Sequence, residues 1–281
     1  MKKYTLPVIM LFLSLGCNNT DGNNINENLP ARELYNVSYG NNAEQLMDIY
    51  LPAGRTDNTK TIILVHGGGW SGGSKSDFNY VVPVLKAQFP DYAIVNMNYR
   101  LGTAQSPGFP KQIQDIELLI SHLKTSDYQI SDKYAFIGAS AGAHLSLLYS
   151  YYHDPNHEVK AVCSIVGPTD FTDPAYTNNP LFQYGLMALV GNVNYQQHPE
   201  VYIEVSPTAH VTSQSPPTIM FYGGQDPLIP ASQATRLKEK LDDAGVYNEY
   251  NLYPYGGHGN WNLQTMADFQ TKLVAFLKNH F

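Results

Sequence analysis

The sequence predicts an α/β fold in which a mostly parallel central sheet has helices on both faces. Short, mainly apolar runs alternate along the chain with stretches that have the period of an amphipathic helix. Most of the apolar runs lack a polar residue at every second position, as expected for strands buried on both faces. The 281 residues, 43% hydrophobic and 15% charged, fit one compact domain and exclude a disordered or collagen-like chain.

The first residues have the pattern of a bacterial export signal. Lys2 and Lys3 precede an apolar run over residues 4–15, which is shorter than the ~20 residues needed to span a bilayer. The run ends close to Cys17, in a segment that resembles a lipoprotein signal. We therefore predict a signal peptide at residues 1–16, a lipidated Cys17 and an exported protein held by its lipid on the periplasmic or cell-surface face of a membrane. An ordinary signal peptide is the alternative.

Residues 17–30 are polar and rich in asparagine, which predicts a flexible tether. The domain follows at residues 31–281. Residues 45–51 alternate between polar and apolar, which predicts a half-exposed strand. Six further runs are mainly apolar and predict strands covered on both faces: residues 61–65, 92–97, 134–137, 160–166, 218–222 and 250–253.

Stretches with helical spacing lie between these strands. Pro110 suits the first turn of a helix, and four apolar residues follow it at helical spacing: Ile113, Ile116, Leu119 and Ile120. The other predicted helices cover residues 143–151, 231–244 and 263–278.

Residues 168–207 interrupt the alternation. The segment is long, aromatic and irregular, and we predict a modest lid-like insertion over the strand ends, where a substrate wall would lie. Whether its aromatic residues pack the lid or contact substrate stays open; they are Phe171, Tyr176, Phe182, Tyr184 and Tyr195.

Composition excludes several functions. The 17 basic and 24 acidic residues give a net charge of −7, which argues against a nucleic-acid partner because phosphate binding needs a basic face. Two cysteines, Cys17 and Cys163, cannot form a disulfide framework, and Cys163 lies in an apolar run typical of a core. The histidines lack H-E-x-x-H spacing, so we predict no metal site.

The pentapeptide G-A-S-A-G at residues 138–142 lies between a predicted strand and a predicted helix. In this context G-x-S-x-G marks a nucleophilic serine, because small flanking residues let the chain turn sharply and expose the hydroxyl above the sheet. The N-terminus of the following helix favours negative charge that develops nearby. Ser140 is therefore the candidate nucleophile.

The glycine-rich loop HGGGW at residues 66–70 directly follows the strand at residues 61–65. Glycines let backbone N–H groups approach a bound molecule closely, and two such groups can bind a forming oxyanion. The loop has neither the Lys-Ser/Thr of a P-loop nor the G-x-G-x-x-G spacing of a dinucleotide site. We therefore predict an oxyanion-binding loop here.

A nucleophilic serine needs a general base and an acid that orients the base. His258 lies in the segment GGHG after the last predicted strand, and Asp226 follows the strand at residues 218–222. The chain order Ser140, Asp226, His258 is that of α/β-hydrolases and differs from the orders in chymotrypsin and subtilisin.

Other residues could fill the same roles. His144 follows Ser140 by four residues on the same predicted helix, but a packed core histidine is the simpler interpretation. Asp170 and Asp173 follow an earlier strand, where some hydrolases place the acid, and they are the alternatives to Asp226.

These features together resemble the HGGG-type carboxylesterases of the α/β-hydrolase superfamily, including acetylxylan and feruloyl esterases. The matching segments are MDIYLP at residues 47–52, HGGGW, NYRL at residues 98–101, Phe109-Pro110 and the region of His258. They cover nearly the whole predicted domain.

The resemblance implies that Ser140 is the nucleophile, His258 the general base and Asp226 its orienting acid, with no cofactor. It also implies three backbone N–H groups as oxyanion donors, those of Gly68, Gly69 and Ala141. The expected activity is hydrolysis of carboxylic esters through an acyl-enzyme. The expected substrate is a small-molecule or polysaccharide-linked ester, with acetylated or feruloylated polysaccharide as the candidate.

Two other functions stay open. One is an arylformamidase or peptidase-like amide hydrolase, whose serine elbow is similar. The other is a catalytically silent α/β-hydrolase fold that serves as a binding module, although such proteins usually lack one of the three catalytic residues. The predicted contact with a membrane is through the lipid alone, and the sequence leaves the oligomeric state open.

Overall fold

The computed structural model of the protein describes residues 29–178 and 180–281. The predicted signal peptide at residues 1–16, the lipidated Cys17 and most of the predicted tether lie outside these described residues. The strands are β1 (Arg32–Ser38), β2 (Leu46–Leu51), β3 (Thr61–Val65), β4 (Ala93–Met97), β5 (Tyr134–Ala139), β6 (Val159–Ile165), β7 (Thr218–Gly223) and β8 (Asn248–Tyr253).

These eight strands form one sheet in the order β1-β2-β4-β3-β5-β6-β7-β8. Six neighbouring strands of this sheet, β4-β3-β5-β6-β7-β8, are parallel to one another. At one edge β1 and β2 pair antiparallel, and β2 also pairs antiparallel with β4. Each of the seven strands expected from the sequence is present within two residues of its predicted ends. The prediction of a mostly parallel sheet is confirmed.

The antiparallel edge differs from the sequence-based expectation. Strand β1 was not predicted, because an edge strand with mostly exposed side chains lacks an apolar run. Strand β2, expected to be half-exposed, has its polar face covered as well. There the Asp48 carboxylate is buried, pairs with Lys75 Nζ at 2.7 Å and accepts the Asn36 N–H at 2.8 Å.

The helices are α1 (Val82–Gln88), α2 (Lys111–Thr125), α3 (Ala141–Leu148), α4 (Pro174–Thr177), α5 (Pro180–Val190), α6 (Pro199–Glu204), α7 (Ser232–Asp243) and α8 (Leu263–His280). Helices α2, α3 and α7 cover one face of the sheet, and α1 and α8 cover the other. Alternate residues of β3 divide between the two cores, with Ile63 and Val65 in one and Ile62 and Leu64 in the other. This double burial explains why β3 is apolar throughout.

The predicted insertion at residues 168–207 is largely helical, so the expectation of an irregular segment was wrong. It contains α4, α5 and α6, and each of them begins at a proline. Proline is favoured in the first helical turn, where its missing N–H needs no intrahelical partner. The prolines here therefore start helices. Among the residues that the structure describes, no helix is both long and apolar enough to cross a bilayer.

Candidate active site

Ser140 lies at the sharp turn between β5 and α3, with φ 51° and ψ −119°. This backbone region is unfavourable for a residue with a Cβ and persists only when the surroundings hold it. Here the Ser140 N–H donates to the Ile165 carbonyl at 2.8 Å. The turn also needs Gly138, where a Cβ would lie 2.4 Å from the Gly142 carbonyl oxygen. The predicted elbow is therefore present, with its serine above the strand ends.

Three side chains form a continuous hydrogen-bonded series at the carboxyl ends of β5, β7 and β8. His258 Nε2 lies 2.9 Å from Ser140 Oγ, and His258 Nδ1 lies 2.8 Å from Asp226 Oδ2. Because an ionised carboxylate only accepts, Nδ1 carries the proton and Nε2 is left to accept from the serine hydroxyl. The structure thus brings together the three residues predicted as nucleophile, base and acid.

The Asp226 carboxylate, predicted as the acid, is buried and accepts several hydrogen bonds. The Asp226 side chain is 1% exposed, and its other oxygen accepts the N–H groups of Leu228 at 2.8 Å and Ile229 at 3.0 Å. The loops that carry Asp226 and His258 are in close contact, because a Cβ at Gly223 would lie 2.3 Å from the Gly256 carbonyl oxygen. This backbone contact holds the loops of Asp226 and His258 next to each other.

The glycine loop lies beside Ser140. Gly68 and Gly69 have φ of 112° and 57°, and a Cβ at Gly68 would lie 2.2 Å from the Gly72 carbonyl oxygen. Within the described part of the chain, neither N–H donates to another protein group. Ala141 is the first residue of α3, where an N–H has no intrahelical partner. Their role as oxyanion donors stays a prediction, and all three lie beside the nucleophile.

His66, at the start of the glycine loop, has a structural environment. Its ring stacks on Tyr99 with centroids 4.2 Å apart, and the Tyr99 hydroxyl donates to the His66 carbonyl at 2.8 Å. Burial lowers the pKa of His66 below its ordinary value, which favours the neutral ring. The Tyr99 contacts anchor the first residue of the loop, a link that the sequence did not reveal.

His144, the alternative base, is fully buried and has two partners of its own. The Trp70 indole Nε1 donates to its Nδ1 at 3.1 Å, and its Nε2 lies 2.7 Å from the Val205 carbonyl oxygen. Since an indole N–H can only donate, Nδ1 accepts and Nε2 carries the proton. This ring is therefore already engaged at both nitrogens.

The alternative acids, Asp170 and Asp173, pair with Arg236 and not with His258. Arg236 Nη1 lies 2.7 Å from Asp170 Oδ2, and Arg236 Nε lies 3.4 Å from Asp173 Oδ2. Within the described residues, no group of three or more His, Cys, Asp or Glu side chains could hold a metal ion.

A cavity of about 580 Å³ opens at Ser140 and His258. Its walls are mainly apolar and aromatic, and Asp77 is also among the lining residues. Of the aromatic residues predicted in the insertion, Phe171, Tyr176 and Phe182 line the cavity, whereas Tyr195 packs against Tyr202. The side chain of Tyr184 lies outside the described residues. Such a cavity could hold an apolar or aromatic group next to a nucleophilic serine.

Comparison with known proteins identifies a family. The family model described as BD-FAE matches residues 47–241, which is more than half of the chain. The esterase LipC of Mycobacterium tuberculosis is 30% identical over 243 residues, which cover 79% of this chain and 59% of LipC. The chain thus spans about three-fifths of the length of the curated relatives that it matches first.

Solved structures show the same fold. A truncated carbohydrate esterase from gut microbiota has a TM-score of 0.70 at 24% identity, covering 89% of this chain and 98% of its own. An acetyl ester-xyloside bifunctional hydrolase from Caldicellulosiruptor lactoaceticus has a TM-score of 0.69 at 18% identity, covering 83% of this chain and 88% of its own. The α/β-hydrolase fold expected from the sequence is confirmed.

The buried His144 makes stability depend on pH. Desolvation lowers its pKa to about 4 from an ordinary value of 6.5. Between these values the unfolded chain binds a proton at this residue and the folded protein does not, so the free energy of unfolding falls as the pH falls. We expect this residue to contribute of order 3 kcal/mol to the difference between pH 7 and pH 4.

The measurement is urea unfolding of the wild type and His144→Gln from pH 7.5 to pH 4. The glutamine cannot titrate, so its profile should be flatter by the contribution of His144. Other histidines whose pKa is lowered by desolvation, such as His66 and His153, are common to both proteins and cancel in the difference. Parallel profiles would contradict the prediction.

Proposed function

The chain belongs to the BD-FAE family, and from this membership and the site geometry we propose that it is a serine hydrolase of carboxylic esters. The observation that carries the proposal is the series Ser140–His258–Asp226, joined by hydrogen bonds of 2.9 and 2.8 Å. A serine hydroxyl bonded to a neutral imidazole, whose second nitrogen is held by a buried carboxylate, is the arrangement that activates a serine for acyl transfer.

In the proposed reaction, Ser140 Oγ attacks the ester carbonyl while His258 Nε2 takes its proton. The N–H groups of Gly68, Gly69 and Ala141 bind the developing oxyanion. His258 then gives the proton to the leaving alcohol, and an acyl-enzyme remains. Water, activated by the same histidine, releases the acid and restores the serine. Asp226 keeps the ring in the required tautomer and stabilises its positive charge.

The size and lining of the cavity favour a substrate with a bulky acyl group. Its volume of about 580 Å³ falls in the range of sites that enclose whole small molecules, and far exceeds what an acetyl group fills. The walls include Trp70, Phe171 and Phe182, whose faces suit an aromatic ring. Of the two candidate substrates, feruloylated polysaccharide therefore fits better than acetylated polysaccharide.

We also propose that the protein is exported and held at a bacterial membrane by a lipid on Cys17. The support is the sequence pattern alone, a basic start and a short apolar run that ends near the cysteine. A tether of about a dozen polar residues would let the domain reach a polymer outside the membrane.

Replacement of the nucleophile tests the proposed activity directly. In the purified full-length protein, Ser140→Ala should lower turnover of p-nitrophenyl acetate by about 10⁶-fold, because no other group can form the acyl-enzyme. Ser150→Ala is the matched control, since that buried hydroxyl lies just after α3 and donates to the Ser146 carbonyl. Equal rates in Ser140→Ala and wild type would exclude the mechanism.

A matched anilide, p-nitroacetanilide, separates the remaining alternatives in the same assay. Faster cleavage of the anilide than of the ester would favour an amide hydrolase. No turnover of either substrate by a folded wild type would favour the silent binding module.

The acyl assignment is tested at Gly185, which lines the cavity at a point where an added Cβ meets no atom within 4 Å. Gly185→Leu should fill part of the cavity without a clash. We expect kcat/KM for p-nitrophenyl ferulate to fall by at least about 10-fold and that for p-nitrophenyl acetate to stay nearly constant. Gly185→Ala is the control for the loss of glycine itself, and it should change kcat/KM little for either ester because its Cβ meets no atom within 4 Å. Equal losses on both esters would contradict binding of the acyl group in this cavity.

The anchor is tested by fractionation of cells that produce the full-length chain. Wild type should pellet with membranes and enter the detergent phase, whereas Cys17→Ser should be soluble because it lacks the acceptor thiol. Cys163→Ser is the control, since Cys163 is a buried core residue. Identical distributions of wild type and Cys17→Ser would contradict lipidation.

A further inference from the structure

His144 lies at a junction of three segments that surround Ser140. The residue is on α3, which begins immediately after Ser140. Its Nδ1 accepts from the indole of Trp70 on the glycine loop, and its Nε2 donates to the carbonyl of Val205 at the end of α6. Phe171 of the insertion packs against the same ring, with centroids 5.1 Å apart. One buried ring therefore connects the glycine loop, the nucleophile helix and the insertion.

The backbone conformation of Trp70 has to be held by contacts with other residues. Its φ of 59° is in the left-handed region, which is unfavourable for a residue with a Cβ. Its carbonyl oxygen is held by the Gly102 N–H at 2.7 Å and by Gln112 Nε2 at 2.8 Å. The indole N–H of the same residue is held by the hydrogen bond to His144. Because Trp70 directly follows Gly69, the contacts that hold Trp70 also restrain the backbone of the glycine loop.

We propose that His144 is a positioning residue for ester hydrolysis: by holding the Trp70 indole, it keeps the N–H groups of Gly68 and Gly69 directed at the oxyanion. This inference rests on the proposed function, since it assigns a role in the same reaction. His144 is not among the residues that line the cavity, whereas Trp70 is.

The chemistry of the ring distinguishes this role from core packing. An apolar residue of similar size would fill the space, but only a group with one acceptor and one donor can bind Trp70 and Val205 together. Burial lowers the pKa of His144 to about 4, so the ring stays neutral and keeps its acceptor nitrogen near neutral pH. A charged ring would have no lone pair for the indole.

Four full-length variants test the role: His144→Phe, His144→Gln, Trp70→Phe and the double variant Trp70→Phe/His144→Phe. Phenylalanine fills the space of the histidine without an acceptor, and glutamine restores an acceptor and a donor. Trp70→Phe keeps an aromatic wall and deletes the indole N–H. Folding of each protein is checked by circular dichroism and thermal unfolding.

We expect His144→Phe to lower kcat for p-nitrophenyl acetate by about 10- to 100-fold, the loss typical of small misplacements of catalytic groups, with KM nearly unchanged. His144→Gln should recover most of that loss. Because both single changes to phenylalanine break the same hydrogen bond, the double variant should be no slower than the slower single variant. If His144 were purely structural, its replacement would lower stability but would not lower kcat at an unchanged KM.

A second readout does not need ester turnover. A fluorophosphonate probe labels a reactive serine: the Oγ–P bond forms, the P–F bond breaks, fluoride leaves and His258 takes the proton. The phosphonyl oxygen occupies the oxyanion position, so the labelling rate of Ser140, followed by mass spectrometry, should fall in parallel with kcat.

A folded His144→Phe whose kcat is within about 3-fold of wild type would overturn the inference. So would a double variant whose fold-loss in kcat equals the product of the losses of the two single variants. If His144→Phe does not fold, Trp70→Phe decides by the same criterion. A wild type that is labelled but hydrolyses no ester would refute the proposed function, and the labelling rates would then decide the role of His144. A wild type that is neither labelled nor active would overturn both.

Discussion

A backbone contact between the start of α3 and the end of β3 determines where the rest of the site lies. A Cβ at Gly142 would lie 2.1 Å from the Val65 carbonyl oxygen, so only glycine lets the helix begin so close to the strand. The same contact brings Ser140 against the glycine loop, where a Cβ at Gly67 would lie 3.2 Å from Ser140 Cβ. In the proposed reaction, a nucleophile and its oxyanion donors must converge on one carbonyl group, and these two close backbone contacts would bring Ser140 and the glycine loop together for that role.

The insertion depends on the element that also positions the acid. The Gln233 side chain, in α7, accepts the N–H groups of Thr169 and Asp170, both at 2.8 Å. Arg236, one turn later, pairs with Asp170 and Asp173. Helix α7 follows the loop of Asp226, so the acid and the start of the insertion are fixed to the same helix. A shift of the cavity wall would therefore be opposed by several buried hydrogen bonds and two ion pairs, which favours a largely preformed cavity.

The sequence predicted those parts of the molecule whose place in the fold is visible in the local pattern of apolar residues and glycines. The buried strands, the elbow at Ser140 and the positions of Asp226 and His258 all follow from apolar runs and from glycines at strand ends. Strand β1 could not be predicted, since most of its side chains are exposed and its pairing with β2 is not visible in its own residues. Helices α4 to α6 were missed because a proline that starts a helix has the same appearance in sequence as one that breaks it.

Long-range polar contacts were outside the reach of the sequence, and the histidines show why. His66, His144 and His258 all lie in glycine- or alanine-rich segments next to predicted strands, so their sequence contexts are similar. Their environments are not: His66 stacks on Tyr99, His144 is enclosed between Trp70 and Val205, and the side chain of His258 is 23% exposed with a carboxylate at Nδ1. Each partner lies more than 30 residues away along the chain and is brought in only by the folded sheet. Of these three rings, His66 and His144 are buried and do not line the cavity. His258 alone combines access to the cavity with a carboxylate that can stabilise its protonated form, and that combination makes it the candidate base.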